Sequence, residues 1–280
     1  KNLADIVYAI SAPYLLHTEC LSQLNPEDMV AGHLIKLADR AHETGCAALA
    51  LCALGQLREA EILSRALFES AATLTFIVQK NTRVRIIQFF KEFIEQKRDQ
   101  NRKWKNDLRD AAPDIQSDHN RRIFEKCADL DHYEGIVNGL ASHYGLDTGA
   151  IGKFPPLIER LTALGRRLEY RTVYAAMCSQ AHHDAEDVLN FFLANGLGLP
   201  DAIHEEVERK ADAFAIFMTL FGARWFIEAM IALGSYLDFP TVVHQSRVSL
   251  ARLDAELELV AACLPENTLP SGWKQMGAPS

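Results

Sequence analysis

The sequence contains few of the residues that end helices: only 15 of its 280 residues are glycine and 10 are proline. The long stretches between them are rich in Ala, Leu, Glu and Arg, which favour helices over strands. We therefore predict an all-α fold, an irregular bundle of about eight long helices with no sheet. One helical domain is expected over residues 1–264, with sub-layers at 1–110 and 157–264, followed by a loose C-terminal tail over 265–280.

The loops that define several enzyme classes are missing. The chain has no Gly-x-x-x-x-Gly-Lys-Ser/Thr loop, no Gly-x-Gly-x-x-Gly loop and no Gly-x-Ser-x-Gly elbow. These motifs bind nucleotide phosphates or expose a nucleophilic serine. Their absence argues against nucleotide-driven and α/β-hydrolase chemistry. The net charge of -8 also argues against a chain that coats nucleic acid along its whole surface.

Signals of secretion or membrane insertion are scarce as well. The six cysteines form no Cys-x-x-Cys pair, and residues 1–24 lack the basic start, apolar centre and cleavage site of a signal peptide. The most apolar segment, 211–237, has a longest uncharged run of 11 residues, whereas a membrane span needs about 20. We predict a cytoplasmic protein with reduced thiols, in which this segment is a core helix.

A long helix predicted over 168–195 carries the most informative pattern. With about 100° between successive residues, Tyr174 and Met177 fall on its apolar face. Asp184 lies in the same apolar sector, where a carboxylate needs a partner because an unpaired buried charge is costly. Three interpretations of Asp184 follow. It belongs to a structural polar network between helices, it orients a reactive His182 near a cleft, or it is solvated.

The helix predicted over 57–79 has a line of polar residues along one face, and an ion pair lies at the end of this line. Arg65 and Glu69 are four residues apart and therefore share one helix face. Taken alone, such a pair is usually a surface ion pair that contributes a few tenths of a kcal/mol to stability.

The two helices together carry a resemblance. Arg65-Ala-Leu-Phe-Glu69 is followed later in the chain by Tyr174-Ala-Ala-Met-Cys178-Ser-Gln-Ala-His182. This pairing resembles an uncharacterised family of bacterial helical proteins of unknown function, in which an Arg-x-x-x-Glu helix accompanies a Tyr-x-x-x-Ser/Cys-x-x-x-His helix. The resemblance covers residues 45–195. It implies an all-helical fold in which Arg65, Glu69, Tyr174 and His182 are the shared polar set.

That family is similar in turn to the HEPN helical domains, many of which are RNases of toxin–antitoxin and antiviral systems. Their site is an Arg-x4–6-His motif that is usually completed across a homodimer. No histidine of this chain has an arginine at that spacing, and Arg171 precedes His182 with ten residues between them. A HEPN-like site would therefore need Arg65 or Arg171 to supply the cation in space.

The resemblance implies an RNA-directed effector of the bacterial cytoplasm, a HEPN-like ribonuclease of the toxin or phage-defence type. Cleavage through the RNA 2′-hydroxyl needs a general acid or base with a pKa near neutrality and a cation that stabilises the developing phosphorane. His182 is the candidate acid or base, and Arg65 or Arg171 the candidate cation. Glu69 and Asp184 would orient these groups.

No metal or cofactor is required in that scheme. We expect a homodimer whose partner is RNA, or an antitoxin or effector protein, and no interaction with a membrane. The alternative from a different class is a non-enzymatic ligand-sensing or protein-interaction module. In that module the same polar residues form a ligand pocket or a structural network.

Residues 79–109 form a basic segment, with ten Lys and Arg against four Asp and Glu. Phenylalanines and Trp104 are interleaved with these cations, a pattern that suits contact with phosphates or an acidic partner. A solvated helix face packed against the acidic stretch 110–118 explains the pattern equally well. The candidate substrate-binding residues are Tyr174, Arg98, Arg102 and Lys103.

A metal site is the remaining alternative. His183 and Asp187, like His182 and Glu186, have an i,i+4 spacing that can ligate a divalent ion when another helix adds a carboxylate such as Glu69. The chain has neither a Glu-x-x-His nor a His-Glu-x-x-His motif. We therefore predict no metal site.

Overall fold

The computed structural model of the chain describes residues 3–24, 28–181 and 201–264. Every regular element in these ranges is helical, which confirms the predicted all-α fold. The helices are α1 (Leu3–Cys20), α2 (Met29–Ala53), α3 (Leu57–Gln79), α4 (Thr82–Asp107), α5 (Pro113–His143), α6 (Leu157–Ala163), α7 (Arg167–Glu169), α8 (Ala175–Ala181), α9 (Asp201–Tyr236) and α10 (Pro240–Ala261). The predicted tail over 265–280 lies outside the described residues.

The contacts divide the chain into two compact units. Residues 1–79 with 156–280 form the first unit, and residues 80–155, which carry α4 and α5, form the second. Residues 80–110, which the predicted sub-layer of 1–110 includes, pack along α5 and belong to the second unit. A single domain over 1–264 stays a prediction.

The core of the first unit is built around α3, which packs against α2 and α9. Phe68 and Ile77 of α3 and Trp225 of α9 are almost fully buried. The helices approach closely where side chains are small. A Cβ added to Gly222 would lie 3.0 Å from the backbone oxygen of Ser64, and one added to Gly45 would lie 3.3 Å from Leu67 Cδ2. Glycine at these two positions permits the close crossing of α3 with α9 and with α2.

The second unit is a helical hairpin with a narrow seam. On α4 the buried residues Ile87, Ile94 and Asn101 recur every seventh position, a spacing that Leu108 continues directly after the helix, and on α5 Ile123, Leu130 and Val137 do the same. A seven-residue repeat is the spacing that keeps two helices in contact along their length. Because this repeat is the main line of burial, most of the hairpin's other side chains are solvent-accessible.

From the sequence we also predict two separate helices, over 116–130 and 133–144, and the structure corrects this prediction. A single helix, α5, runs from Pro113 to His143. The intervening Asp131 and His132 are both exposed polar residues, so they place no polar group in the seam and give the helix no reason to end. Pro113 occupies the first turn of α5, where its missing N–H costs nothing.

The helix predicted over 168–195 is also irregular. α7 and α8 are joined without a break by a π-helical stretch, Tyr170–Tyr174. A π turn contains more residues than an α turn, so the side chains before and after it do not follow one 100° wheel. Val173 and Met177 are buried, as the apolar face predicts. The part of this helix beyond residue 181 lies outside the described residues.

Among the residues that the structure describes, one helical segment, Glu208–Tyr236 within α9, is long and apolar enough to cross a membrane by length and composition alone. In this structure 78% of its most apolar window is buried inside the protein. α9 packs against α3, α10 and α2. The segment therefore lies in the core of the first unit, where the sequence predicts it.

Candidate functional site

Arg65 and Glu69 face Tyr174 in the first unit. Arg65 and Glu69 lie one turn apart on α3, whereas Tyr174 is the last residue of the π-helical stretch that leads into α8. Tyr174 follows Arg65 by 109 positions in the sequence, so tertiary packing of α8 on α3 creates the contact. These three residues are called the α3 cluster below.

The α3 cluster is a closed triangle of polar contacts. Arg65 Nε donates a hydrogen bond to Glu69 Oε1 at 2.9 Å, and the Tyr174 hydroxyl donates to the same oxygen at 2.8 Å. Arg65 Nη2 donates to the Tyr174 hydroxyl oxygen at 3.4 Å, the longest of the three contacts. Glu69 therefore orients both the guanidinium and the phenol.

Aromatic rings hold Tyr174 in place. Its ring stacks on Phe68 with 5.7 Å between centroids and on Tyr170 with 5.1 Å. The Arg65 guanidinium carbon lies 5.5 Å from the Tyr174 ring centroid, within the range of a cation–π interaction. Because Phe68 is fully buried, the Tyr174 ring is anchored on the core while its hydroxyl meets the polar cluster.

The cluster is partly open to solvent. The exposed side-chain fraction is 24% for Arg65 and 40% for Glu69. Burial raises the pKa of Tyr174, and its hydrogen bonds with Glu69 and Cys178 raise it further, so the phenol stays protonated as a donor. Burial lowers the pKa of Arg65, but the hydrogen bond with Glu69 and the interactions with Cys178 and Tyr174 together outweigh this effect, and the pKa is raised overall.

Arg160 adds a second guanidinium that the sequence did not reveal. It extends from α6 and donates a hydrogen bond to Thr73 Oγ1, and Thr73 in turn donates to the backbone oxygen of Glu69 at 2.6 Å. Burial lowers the pKa of Arg160, while the charge of Glu69 raises it. Thr73 follows Glu69 by four residues on α3 and therefore lies on the same face of the helix.

A second polar network in the first unit was also missed. Arg166 bonds Glu169 and, at 2.7 Å, Glu228 Oε2 on α9, and Arg224 bonds Glu228. Trp225 Nε1 donates to Glu169 Oε2 at 2.7 Å. Its members are called the α9 network below: Arg166, Glu169, Arg224, Trp225, Glu228 and Asp254, which accepts a hydrogen bond from Arg224 Nε at 2.7 Å.

Apart from Asp254, the side chains of the α9 network are largely buried, and this changes their electrostatics. Glu169 is 1% exposed. Burial raises the pKa of Glu169 to about 7, although Arg166 and Trp225 act in the opposite direction. The Arg166 guanidinium also lies 4.2 Å from the Trp225 ring centroid. Charges inside the apolar segment 211–237 were the signal for this network, because Arg224 and Glu228 need partners when they are buried.

The other predicted site residues are distributed as follows. Arg171 is exposed and lies over the Tyr170 ring at 5.7 Å, without a hydrogen bond to the α3 cluster. His182 and Asp184 lie outside the described residues. Cys178, which precedes His182 by four residues in the sequence, forms a hydrogen bond with Tyr174.

The predicted substrate-binding cations of α4 lie in the second unit, and carboxylates neutralise them. Arg98 bonds Asp131 at 2.7 Å and Glu134 at 2.8 Å, both on α5. Arg102 and Lys103 bond Asp99 on their own helix at 3.1 and 2.8 Å. Asp118, within the acidic stretch proposed as their counterpart, instead pairs with two arginines of α5.

Within 3–24, 28–181 and 201–264, no three His, Cys, Asp or Glu side chains lie close enough together to hold a metal ion. The histidines and carboxylates of the alternative metal site, from His182 to Asp187, lie outside these ranges. What the α3 cluster can do chemically therefore follows from its own groups. A guanidinium oriented by a carboxylate, next to a neutral phenol donor, is suited to bind an anionic oxygen.

Comparison with known proteins gives a family and no named relative. Neither the curated proteins nor the solved structures contain a match. The model of a family of unknown function, DUF5677, matches residues 32–196. This range contains Arg65, Glu69, Tyr174 and His182, and it agrees with the predicted resemblance to a helical family of unknown function. Because the match spans more than half of the sequence, the chain belongs to the DUF5677 family.

Proposed function

We propose that the chain is an RNA-directed effector of the bacterial cytoplasm, a metal-independent, HEPN-like ribonuclease of the toxin or phage-defence type that acts as a homodimer. The observation that carries the proposal is the closed contact of Arg65 with Glu69 and Tyr174 beside Cys178. The HEPN pattern needs a cation next to a histidine, and here Arg65 takes that role from a separate helix. His182, one helical turn after Cys178 in the sequence, is the acid or base.

The geometry supports a phosphate as the ligand of Arg65. Its Nε is committed to Glu69 at 2.9 Å, whereas its contact to the Tyr174 hydroxyl is 3.4 Å and correspondingly weak. An incoming phosphate oxygen can take over Nη2 without breaking the bond that orients the guanidinium. The Tyr174 hydroxyl would lie next to that phosphate oxygen. It would donate a second hydrogen bond to it after breaking its own hydrogen bond to Glu69.

The proposed chemistry needs a proton acceptor, a proton donor and a cation. His182 would act either as the base that removes the 2′-hydroxyl proton while water protonates the leaving 5′-oxygen, or as the acid that protonates the 5′-oxygen while water takes the 2′ proton. Arg65 would stabilise the negative charge that develops on the phosphorane oxygens, a contribution that is largest where the cation is held in advance. Glu69 supplies that orientation, and Arg160 adds positive potential from α6.

One observation favours the second candidate, a ligand-sensing or protein-interaction module. Each member of the α3 cluster is already bonded to the other two, and Glu69 neutralises the charge of Arg65. Such a network can join α8 to α3 without chemistry. The two candidates differ in what they expect from a variant that keeps the fold but loses one functional group.

The test is growth and total-RNA profiling after induction of the wild type, Arg65→Ala and His182→Ala. Arg40→Ala is the matched control, because Arg40 is an exposed arginine of α2 paired with Glu43 at i,i+3. We expect growth arrest with discrete RNA cleavage for the wild type and Arg40→Ala, and neither for Arg65→Ala or His182→Ala. Thermal unfolding of each purified protein checks that the loss is not a loss of fold.

Two outcomes contradict the ribonuclease proposal. Intact RNA and normal growth with the wild type would favour the interaction module. Growth arrest that persists in both Arg65→Ala and His182→Ala would show that the toxic activity depends on other residues of the molecule.

A further inference from the structure

The hairpin of the second unit carries a groove lined by aromatic rings and lysines. The groove lies between α4 and α5 and has a volume of about 440 Å³. It is called the aromatic groove below. The aromatic and charged residues that line it are Phe93, Lys97 and Trp104 of α4 and Lys126, Asp129 and Tyr133 of α5.

Two of its rings are unusually accessible. Phe93 is 45% exposed and Tyr133 is 46% exposed, although both are large aromatic residues. Their centroids are 6.4 Å apart, so they form one apolar platform. They flank the seven-residue seam, which Ile94 and Leu130 fill, and the seam therefore leaves them uncovered.

The third ring is held in a defined orientation. Trp104 Nε1 donates a hydrogen bond to His119 Nδ1 at 3.1 Å, and the two rings meet edge to face with 5.4 Å between centroids. Trp104 follows Phe93 by three helical turns, which at about 1.5 Å per residue separates them by roughly 16 Å along α4. The groove thus has an aromatic surface towards each end.

The lysines between these rings are available for an external anion. Within the part of the chain that the structure describes, Lys97 and Lys126 form no ion pair, and Lys97 only donates to Gln100 at 3.0 Å. This contrasts with Arg98 and Arg102 of the same helix, which carboxylates neutralise. Asp129 is the one carboxylate in the groove lining.

The charge of the second unit also favours an anionic ligand. Residues 80–155 contain 14 Lys and Arg against 12 Asp and Glu, in a chain whose net charge is -8. A second copy of this groove would bring lysines against lysines, which disfavours self-pairing. Phosphates complement Lys97 and Lys126, and planar bases complement the exposed rings.

We propose that the aromatic groove binds single-stranded nucleic acid. Bases stack on Phe93 and Tyr133 at one end and on Trp104 at the other, while Lys97 and Lys126 contact phosphates between them. Stacking on aromatic side chains is available to every base, so binding is tolerant of sequence. A duplex is bound more weakly because its bases already stack on each other. This inference rests on the proposed RNA-directed function for its biological role and adds a substrate-holding surface to it.

The test is fluorescence anisotropy with the full chain and a fluorescein-labelled 12-nucleotide oligothymidine, free or annealed to its complement. This DNA has no 2′-hydroxyl, so binding is measured independently of the proposed cleavage. We expect the single strand to bind at least about tenfold more tightly than the duplex. Phe93→Ala and Tyr133→Ala should each weaken single-strand binding about tenfold, while Tyr133→Phe, which keeps the ring, should not.

The matched control for the rings is Phe124→Ala. Phe124 is a phenylalanine of α5 that is 75% exposed and does not line the aromatic groove, so its removal should leave binding unchanged. For the lysines, Lys97→Gln and Lys126→Gln should each lower affinity and reduce the dependence of log K on log salt by about 0.7. Circular dichroism verifies that each variant keeps its helices.

Three outcomes would overturn the proposal. The wild type does not bind the oligothymidine, or Phe93→Ala and Tyr133→Ala bind it as tightly as Phe124→Ala does. The third outcome is that these two substitutions convert a dimer into a monomer in sedimentation without weakening oligothymidine binding. That result would mean that a second copy of the chain occupies the groove of the wild type. Intact RNA in induced cells together with groove-dependent binding would refute the ribonuclease alone, and growth arrest without oligothymidine binding would refute the groove alone.

Discussion

The α3 cluster and the α9 network are built from similar parts in different surroundings. Each contains an arginine that bonds a carboxylate on its own or the adjacent turn, and each adds an aromatic side chain that donates a hydrogen bond to that carboxylate. They differ in exposure. The Arg65 side chain is 24% exposed, whereas Arg166 is 16% and its partner Glu169 is 1% exposed.

The difference shows how exposure separates a site from a support. A buried ion network contributes to stability mainly through the penalty that follows when one partner is lost. A partly open cluster contributes less to stability, because water replaces a lost partner, but it remains accessible to a ligand. We therefore expect substitutions in the α9 network to change stability and those in the α3 cluster to change activity.

The largest expected effect comes from Arg166→Ala. It removes the cation that bonds Glu169 and Glu228 in the interior, and such a loss costs about 3–5 kcal/mol of unfolding free energy. Arg65→Ala, its counterpart in the α3 cluster, should cost about 1 kcal/mol or less. Urea denaturation of both variants measures the difference. Equal losses would mean that the two clusters play the same structural role.

The next effect is a pH dependence that belongs to Glu169. Its pKa in the folded protein is about 7 against an ordinary value of 4.5, so the unfolded chain releases this proton first as pH rises. The contribution of Glu169 to folding stability therefore falls between about pH 4.5 and 7, by up to about 3 kcal/mol. Urea midpoints of the wild type and Glu169→Gln at pH 5 and pH 8 measure it.

The comparison with Glu169→Gln is needed because buried histidines have the opposite slope. Burial lowers the pKa of His17, so the unfolded chain binds its proton more readily and stability from this group rises with pH. Both proteins share that effect. If the stability curves of the wild type and Glu169→Gln are parallel over this pH range, Glu169 is ionised throughout and the account of the α9 network is wrong.

A smaller loss of stability is expected from Tyr174→Phe. The substitution keeps the stacked ring and removes the hydroxyl that donates to Glu69 and accepts from Arg65, which costs about 1 kcal/mol. Tyr14→Phe is the matched control, because the Tyr14 hydroxyl donates to Asp39 at 3.0 Å elsewhere in the first unit. Both should lose similar stability in urea, but only Tyr174→Phe should reduce RNA cleavage. Equal activity of the two variants would remove Tyr174 from the site.

The smallest change in stability is expected from Arg171→Ala. This arginine is exposed and contacts only the Tyr170 ring among the described residues, so its removal should cost less than about 0.5 kcal/mol. RNA profiling after induction then decides between the two candidate cations. Cleavage by Arg171→Ala but not by Arg65→Ala is the expected result, and the reverse would transfer the phosphate-binding role to Arg171.

Part of this organisation could be predicted because it is local. α3 begins and ends where its hydrophobic periodicity and the Gly55 and Asn81 breaks place it, and Arg65 and Glu69 share a face by spacing alone. The contact with Tyr174 was suggested by a resemblance rather than by spacing. No feature of the sequence predicted the position of Arg160, because its bond to Thr73 depends on how α6 packs against α3.

The errors arose where a local rule competed with packing. The predicted helices over 116–130 and 133–144 leave a break at Asp131 and His132, but the seven-residue seam of Ile123, Leu130 and Val137 continues past these two residues and keeps α5 helical. The α9 network could be anticipated only in part, as a need for partners at Arg224 and Glu228. Which residues meet that need is determined by helix packing over long sequence separations.

The π-helical stretch Tyr170–Tyr174 holds one residue more than an ordinary α-helical turn would. Such a widened turn absorbs the additional residue and leaves the helix on either side of it intact. Glu169, before the stretch, bonds Trp225, and Tyr174, at its end, stacks on Phe68. In evolutionary terms, the stretch is therefore a position at which the chain can change its length by one residue while both of these contacts with the core are kept.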